Sequence, residues 1–145
     1  MNNVLLIGGE GYIGNVLCQR LLAARYNVFS YDNLIYRNNI CVLNKIHYPN
    51  YHFIYGDMLN KKKIETAIQG IDTVILLAGL VGDLITKKYP FESILINDKG
   101  IRNVIDLCAK NDIPQLIRHF GKQNKIFFGH IRNINSHNDH AFDEV

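Results

Sequence analysis

The chain has 145 residues, 48% of them hydrophobic and 20% charged, with a formal net charge of +3. That length is one average domain, and that composition supplies a core, which excludes a disordered or low-complexity chain. The mild charge, with basic runs only at Lys61-Lys62-Lys63 and Lys87-Lys88, excludes a nucleic-acid face, and no apolar run reaches the roughly 20 residues of a membrane helix.

Val4–Ile7 is a short continuous apolar run and reads as a buried parallel strand. The start of the chain runs straight into it, so no targeting segment is expected. Gly8, Gly11 and Gly14 follow at three-residue spacing. Tyr12 to Arg25 reads as a helix with Ile13, Val16, Leu17, Leu21 and Ala24 inward. Asn27–Tyr31 is a second strand, ending at Asp32-Asn33-Leu34. Residues 35–50 are polar and irregular, with a short helix around Ile40–Ile46. Tyr51–Tyr55 is a third strand, closed by Gly56-Asp57. Lys61–Gln69 is a helix stopped by Gly70. Thr73–Leu77 is a fourth strand, followed by Ala78-Gly79. Residues 80–90 read as a loop, and Phe91–Lys110 as one long helix with Ile94, Ile101, Val104, Ile105, Leu107 and Cys108 inward.

Strands alternating with helices predict an α/β fold, a doubly wound parallel sheet with right-handed crossovers. Ligands of such sheets bind beyond the carboxyl ends of the strands. Strand, glycine turn and helix in that order suit a dinucleotide pyrophosphate. One glycine allows the tight turn, one lets backbone approach the phosphates, and one lets the helix pack on the strand. The helix start adds free N–H groups and a partial positive charge. Asp32 lies 18 residues after Gly14. A carboxylate there accepts from a ribose 2′-OH and repels a 2′-phosphate, which favours NAD over NADP.

After residue 110 the rhythm changes. Asp112 can cap a helix with Pro114 in its first turn, Leu116, Ile117 and Phe120 on its apolar face and Gly121 as its stop. Lys125–Ile131 then reads as a candidate fifth parallel strand, and residues 133–145 as a polar, frayed tail. Four of the six histidines, His119, His130, His137 and His140, lie in this stretch. The three cysteines, Cys18, Cys41 and Cys108, have no metal-like spacing and suggest reduced thiols in a cytoplasmic setting.

GGEGYIG (8–14), YDNL (31–34), YGDM (55–58), ILLAGLVGD (75–83) and INDKGIRNVIDLC (96–108) together resemble the extended short-chain dehydrogenase/reductase family, specifically its NAD-dependent nucleotide-sugar epimerases and dehydratases. The resemblance covers about residues 1–110 and implies a truncated Rossmann-type NAD-binding domain over 1–111. By that resemblance Gly8, Gly11, Tyr12, Ile13 and Gly14 hold the pyrophosphate. Asp32 and Asn33 hold the adenosine ribose, Asp57 and Met58 the adenine, and Ala78, Gly79 and Asn97 the nicotinamide side. A nucleotide sugar is the implied substrate.

The family's chemistry uses a Tyr-x-x-x-Lys pair with a nearby Ser, the Tyr as acid/base and the Lys lowering its pKa. None of the eight tyrosines has a Lys four residues later, so no catalytic residue is assigned. The segment 112–145, through IRHFGKQNKI (117–126), HIRNI (130–134) and DHAFDEV (139–145), resembles instead a piece of mannonate dehydratase, a metal-dependent barrel enzyme. That would make His130, with Arg132 beside it, a metal-ligand candidate. One strand neither closes a barrel nor gathers the ligands a catalytic metal needs, so no metal site is assigned. Four readings follow: an NAD(H)-binding domain without its catalytic pair; an active epimerase/dehydratase completed by a partner chain; a non-catalytic assembly module; and a mannonate dehydratase relative. If residues 112–145 leave the sheet edge bare, self-association as a homo-oligomer is favoured.

Overall fold

A computed structural model of the chain describes residues 2–80, 82–120 and 125–129. The first half follows the predicted alternation: β1 (Asn3–Ile7), α1 (Tyr12–Ala23), β2 (Asn27–Asp32), α2 (Asn39–Leu43), β3 (Tyr51–Tyr55), α3 (Lys61–Ala67) and β4 (Thr73–Leu76). The second half comprises α4 (Asp83–Lys88), α5 (Pro90–Ile94), a π-helical stretch Leu95–Gly100, α6 (Ile101–Lys110), β5 (Gln115–Phe120) and β6 (Lys125–Gly129). The sheet runs β3-β2-β1-β4-β5-β6, with β1 to β5 parallel and β6 antiparallel to β5. It is the doubly wound order whose direction of winding reverses between β1 and β4.

Period-two alternation divides the core between the two faces of the sheet. Leu5, Ile7, Tyr31, Val74 and Leu76 point one way, onto Ile64 of α3 and Ile101, Val104 and Leu107 of α6. Val4, Leu6, Val28 and Ile75 point the other way, onto Cys18 and Leu22 of α1. Each such aliphatic side chain, fully buried, contributes about 1.5–3 kcal/mol.

Several sequence expectations are corrected. Residues 115–120 form a strand, not a helix. Asp112 adopts a left-handed turn (φ 50°) that ends α6. The chain then joins the open edge of β4 with Thr73 opposite Gln115 and Leu76 opposite Arg118. Pairing at that edge outweighs the weak helical pattern, and it sends Leu116 and Ile117 to opposite cores. Lys125–Gly129 is therefore the sixth strand, and antiparallel.

Residues 83–88, expected in a loop, form α4, and the long helix is broken into α5, the π-helical stretch and α6. The inward face of α1 is Gly14, Cys18 and Leu22. Ile13 and Val16 are exposed instead, as is Ile94 on α5. Gly14 in the buried stripe draws α1 so close to the glycine turn that its inward face rotates away from Ile13.

Candidate functional site

A cleft of about 630 Å³ opens beyond the carboxyl ends of β1 to β4. The structure brings Gly8, Gly11, Tyr12, Ile13, Gly14, Asp32, Asn33, Asp57, Met58, Ala78 and Gly79 together on its walls. Asn97 is not on the wall. Its amide instead holds the loop after β4, accepting from the Leu80 N–H at 2.9 Å and donating to the Leu80 carbonyl at 2.8 Å.

The three glycines do different work. Gly8 has φ +85°, open to glycine at little cost, and a Cβ there would sit 2.6 Å from the Ala78 nitrogen. Gly14 lies against the turn, where a Cβ would meet the Gly8 carbonyl and would come within 2.8 Å of Gly9 Cα. Gly11 has ordinary extended backbone and caps α1 without a side-chain bond, and no acidic residue occupies the first turn. The first N–H groups of α1 therefore face the cleft unclaimed by any cap, as an anion requires. Tyr12 stands 95% exposed at the lip.

Asp32 ends β2 with its carboxylate fixed by backbone donors, Oδ2 by the Glu10 N–H at 3.0 Å and Oδ1 by the Leu34 N–H at 2.8 Å. Burial raises its pKa above the ordinary 3.8, and the Leu34 and Glu10 N–H groups oppose that rise. Asn33 donates to Asp57 at 3.3 Å, and Asp57 in turn accepts from the Leu59 N–H at 2.8 Å. Met58 is buried under Gly100, where a Cβ would come within 2.8 Å of its Cγ.

Sequence reasoning missed a buried polar cluster on the other side of the turn. Glu10, between two of the glycines, turns inward. Its Oε1 accepts from Ser30 Oγ at 2.6 Å and Tyr51 OH at 2.9 Å, and its Oε2 pairs with Lys45 Nζ at 2.8 Å. Lys45 also donates to Asn15 Oδ1 at 2.6 Å. The side chains of Lys45 and Glu10 are 1% and 0% exposed. Asn38 donates to the Glu10 carbonyl. The one signal in the sequence was a charged residue inside a glycine turn, and nothing in the linear pattern pointed from it to Lys45.

Burial pushes the Cys18 thiol up to about 12, against the lowering effect of Lys45. The Tyr31 hydroxyl, also buried, is likewise raised to about 12. Both stay protonated at neutral pH. Tyr51 is raised further, by burial and by its bond to Glu10. The site offers backbone donors for an anion, carboxylate acceptors for hydroxyls and an apolar wall. Among the described residues no group of three or more His, Cys, Asp or Glu could hold a metal, and no helix is long and apolar enough to cross a membrane. The metal candidate His130, with Arg132, lies outside the described residues.

Fold and turn together define a Rossmann-type α/β domain with an uncapped glycine turn at its switch point. The chain belongs to the NAD dependent epimerase/dehydratase family, whose model matches residues 4–120. It is 29% identical over 119 residues to a UDP-N-acetylglucosamine 4,6-dehydratase (inverting) of Campylobacter jejuni, and 29% identical over 121 residues to a UDP-glucose 4-epimerase of Rickettsia felis. Each alignment covers 79% of this chain and 35% of the relative, so the chain spans about a third of their length. Among solved structures, Pen from Bacillus thuringiensis superposes with a TM-score of 0.75 at 25% identity, over 81% of this chain and 37% of that one.

Proposed function

We propose that this chain binds NAD(H) in the cleft and is the cofactor module of a nucleotide-sugar epimerase or dehydratase. The observation that carries the reading is the uncapped start of α1 behind Gly8, Gly11 and Gly14, with Asp32 at the end of the neighbouring strand. The N–H groups of the turn take the pyrophosphate. Asp32 and Asn33 take the adenosine ribose, and Asp57 and Met58 flank the adenine. Ala78 and Gly79 leave room on the nicotinamide side, in a loop held by Asn97. Bound NAD supplies hydride transfer to and from a sugar carbon. The 145 residues hold no Tyr-x-x-x-Lys pair, so the proton-transfer groups for turnover are assigned outside them.

Calorimetric titration with NAD and NADP tests the reading. Saturable NAD binding with a raised melting temperature, and weaker NADP binding, is the expected result. A folded protein that binds neither dinucleotide overturns it.

A second reading, association with further polypeptide, rests on the apolar side chains Leu84 and Phe91, which stand 85% and 83% exposed on α4 and α5. Sedimentation over a concentration range tests it, and a monomer at every concentration removes self-association.

A further inference from the structure

Glu10 sets a carboxylate inside the very turn that presents N–H groups to an anion. Its side chain is 0% exposed. A buried charge of that sign is felt strongly across low-dielectric protein and works against a phosphate bound on the same turn. Lys45 offsets it at 2.8 Å, and its second bond, at 2.6 Å, is to Asn15 in the first turns of α1. The ammonium thus lies between the carboxylate and the start of the helix that faces the cleft.

The position of Lys45 in the chain is equally informative. It comes from the connection between β2 and β3, whose helix α2 has no fully buried residue. That connection reaches the domain through Val42, packed against the core that holds Cys18 and Leu22, and through polar links that include Lys45 to Glu10 and Asn38 to the Glu10 carbonyl. One part-buried valine on α2 gives no reason for a fully buried ammonium. The charge of Glu10 does.

We propose that Lys45 is the counter-charge that lets the Gly8–Gly14 turn accept an anionic pyrophosphate despite the buried carboxylate of Glu10. The inference rests on the reading of the cleft as a dinucleotide site and adds to it a positioning residue that touches no ligand. Lys45 acts on the anion through the field, so its effect scales with ligand charge.

The test compares ADP-ribose, which carries the pyrophosphate, with adenosine, which carries no charge, on folded protein. The affinity ratio of the two ligands is read for the wild type, Glu10→Gln, Lys45→Met and the double variant. Lys45→Met leaves a bare carboxylate and should cut the ratio about tenfold, whereas Glu10→Gln leaves a bare ammonium and should raise it. The double variant is neutral again and should return the ratio to within about threefold of wild type. Removing one partner of a buried pair is strongly destabilising. If one single variant does not fold, the other against the double reads the same ratio change. A ratio that stays flat across the folded variants overturns the proposal. So does a parallel loss for both ligands, which would mark Lys45 as a purely structural fastening. A wild-type protein that binds neither NAD nor ADP-ribose overturns the dinucleotide site itself, and this inference with it.

Discussion

Asn97 and Leu80 form a closed ring of two hydrogen bonds, Leu80 N–H to Asn97 Oδ1 at 2.9 Å and Asn97 Nδ2 to the Leu80 carbonyl at 2.8 Å. Asn97 sits in the π-helical stretch Leu95–Gly100, where one added residue per turn re-aims the side chains of an otherwise α-helical segment. The ring ties that helix to the loop leaving β4, which carries Ala78 and Gly79 on the cleft wall. Leu80 is buried, so its N–H and carbonyl have little recourse to water. Asn97→Ala leaves both unpaired and should destabilise the domain by about 1–3 kcal/mol. Urea unfolding measures it. A loss below about 0.5 kcal/mol, the range of ordinary surface changes, would show that the ring does not hold the loop.

The glycines separate binding from folding. Gly11 has φ −69°, a conformation open to any residue, and a Cβ there meets only the Gly8 carbonyl, at 3.3 Å. Gly11→Val should therefore leave the circular dichroism spectrum native while placing a side chain in the proposed pyrophosphate site, and NAD binding should be lost. Gly14→Val drives a side chain into the backbone of Gly8 and Gly9 and should instead yield little folded protein. Unchanged NAD affinity in a folded Gly11→Val variant would take the turn out of the site.

This contrast shows which parts of the molecule the sequence made legible. The first four strands are short apolar runs ended by glycine or aspartate, and each signal is local, so their order and the cleft at their ends follow from the pattern. Residues 115–120 are different. Leu116, Ile117 and Phe120 fit a helical stripe as well as a strand with apolar residues on both faces, and only the unpaired edge of β4, some 40 residues away in sequence, decides for the strand. Glu10 and Lys45 were illegible for the same reason. They lie 35 residues apart, and neither side chain has an alternation or spacing that names its partner. Asn97 was visible as part of a motif, but its place behind the cleft wall depends on a π-helical stretch that no periodicity reveals.

Asp32 is held by backbone donors yet raised in pKa by burial. The sign of its linkage to ligand follows. Ribose hydroxyls donating to the ionised carboxylate favour that form and lower the pKa that burial has raised, so NAD binding should release protons at acidic pH. Calorimetry in two buffers of different ionisation enthalpy reads the release directly. Asp32→Asn should abolish it. Asp32→Ala should weaken NAD about tenfold and narrow the preference over NADP, because the charge that repels a 2′-phosphate is gone. An unaltered NAD-to-NADP preference in the alanine variant would leave Asp32 as a turn residue only.

The cysteines give a test that needs no mutation. Cys18 and Cys108 are buried and pushed up to about 12 by that burial, so neither supplies the thiolate that reacts. Cys41 is part-exposed within α2, in the connection that carries Lys45, and it lines the cleft. With a disulfide reagent at pH 8, native protein should therefore lose one thiol quickly and the other two only on unfolding in guanidinium. Saturating NAD should slow the fast reaction by covering the wall on which Cys41 lies. Rapid modification of two or three thiols in the native state would mean that the cores holding Cys18 and Cys108 open on that timescale. A fast thiol indifferent to NAD would place the bound dinucleotide away from α2.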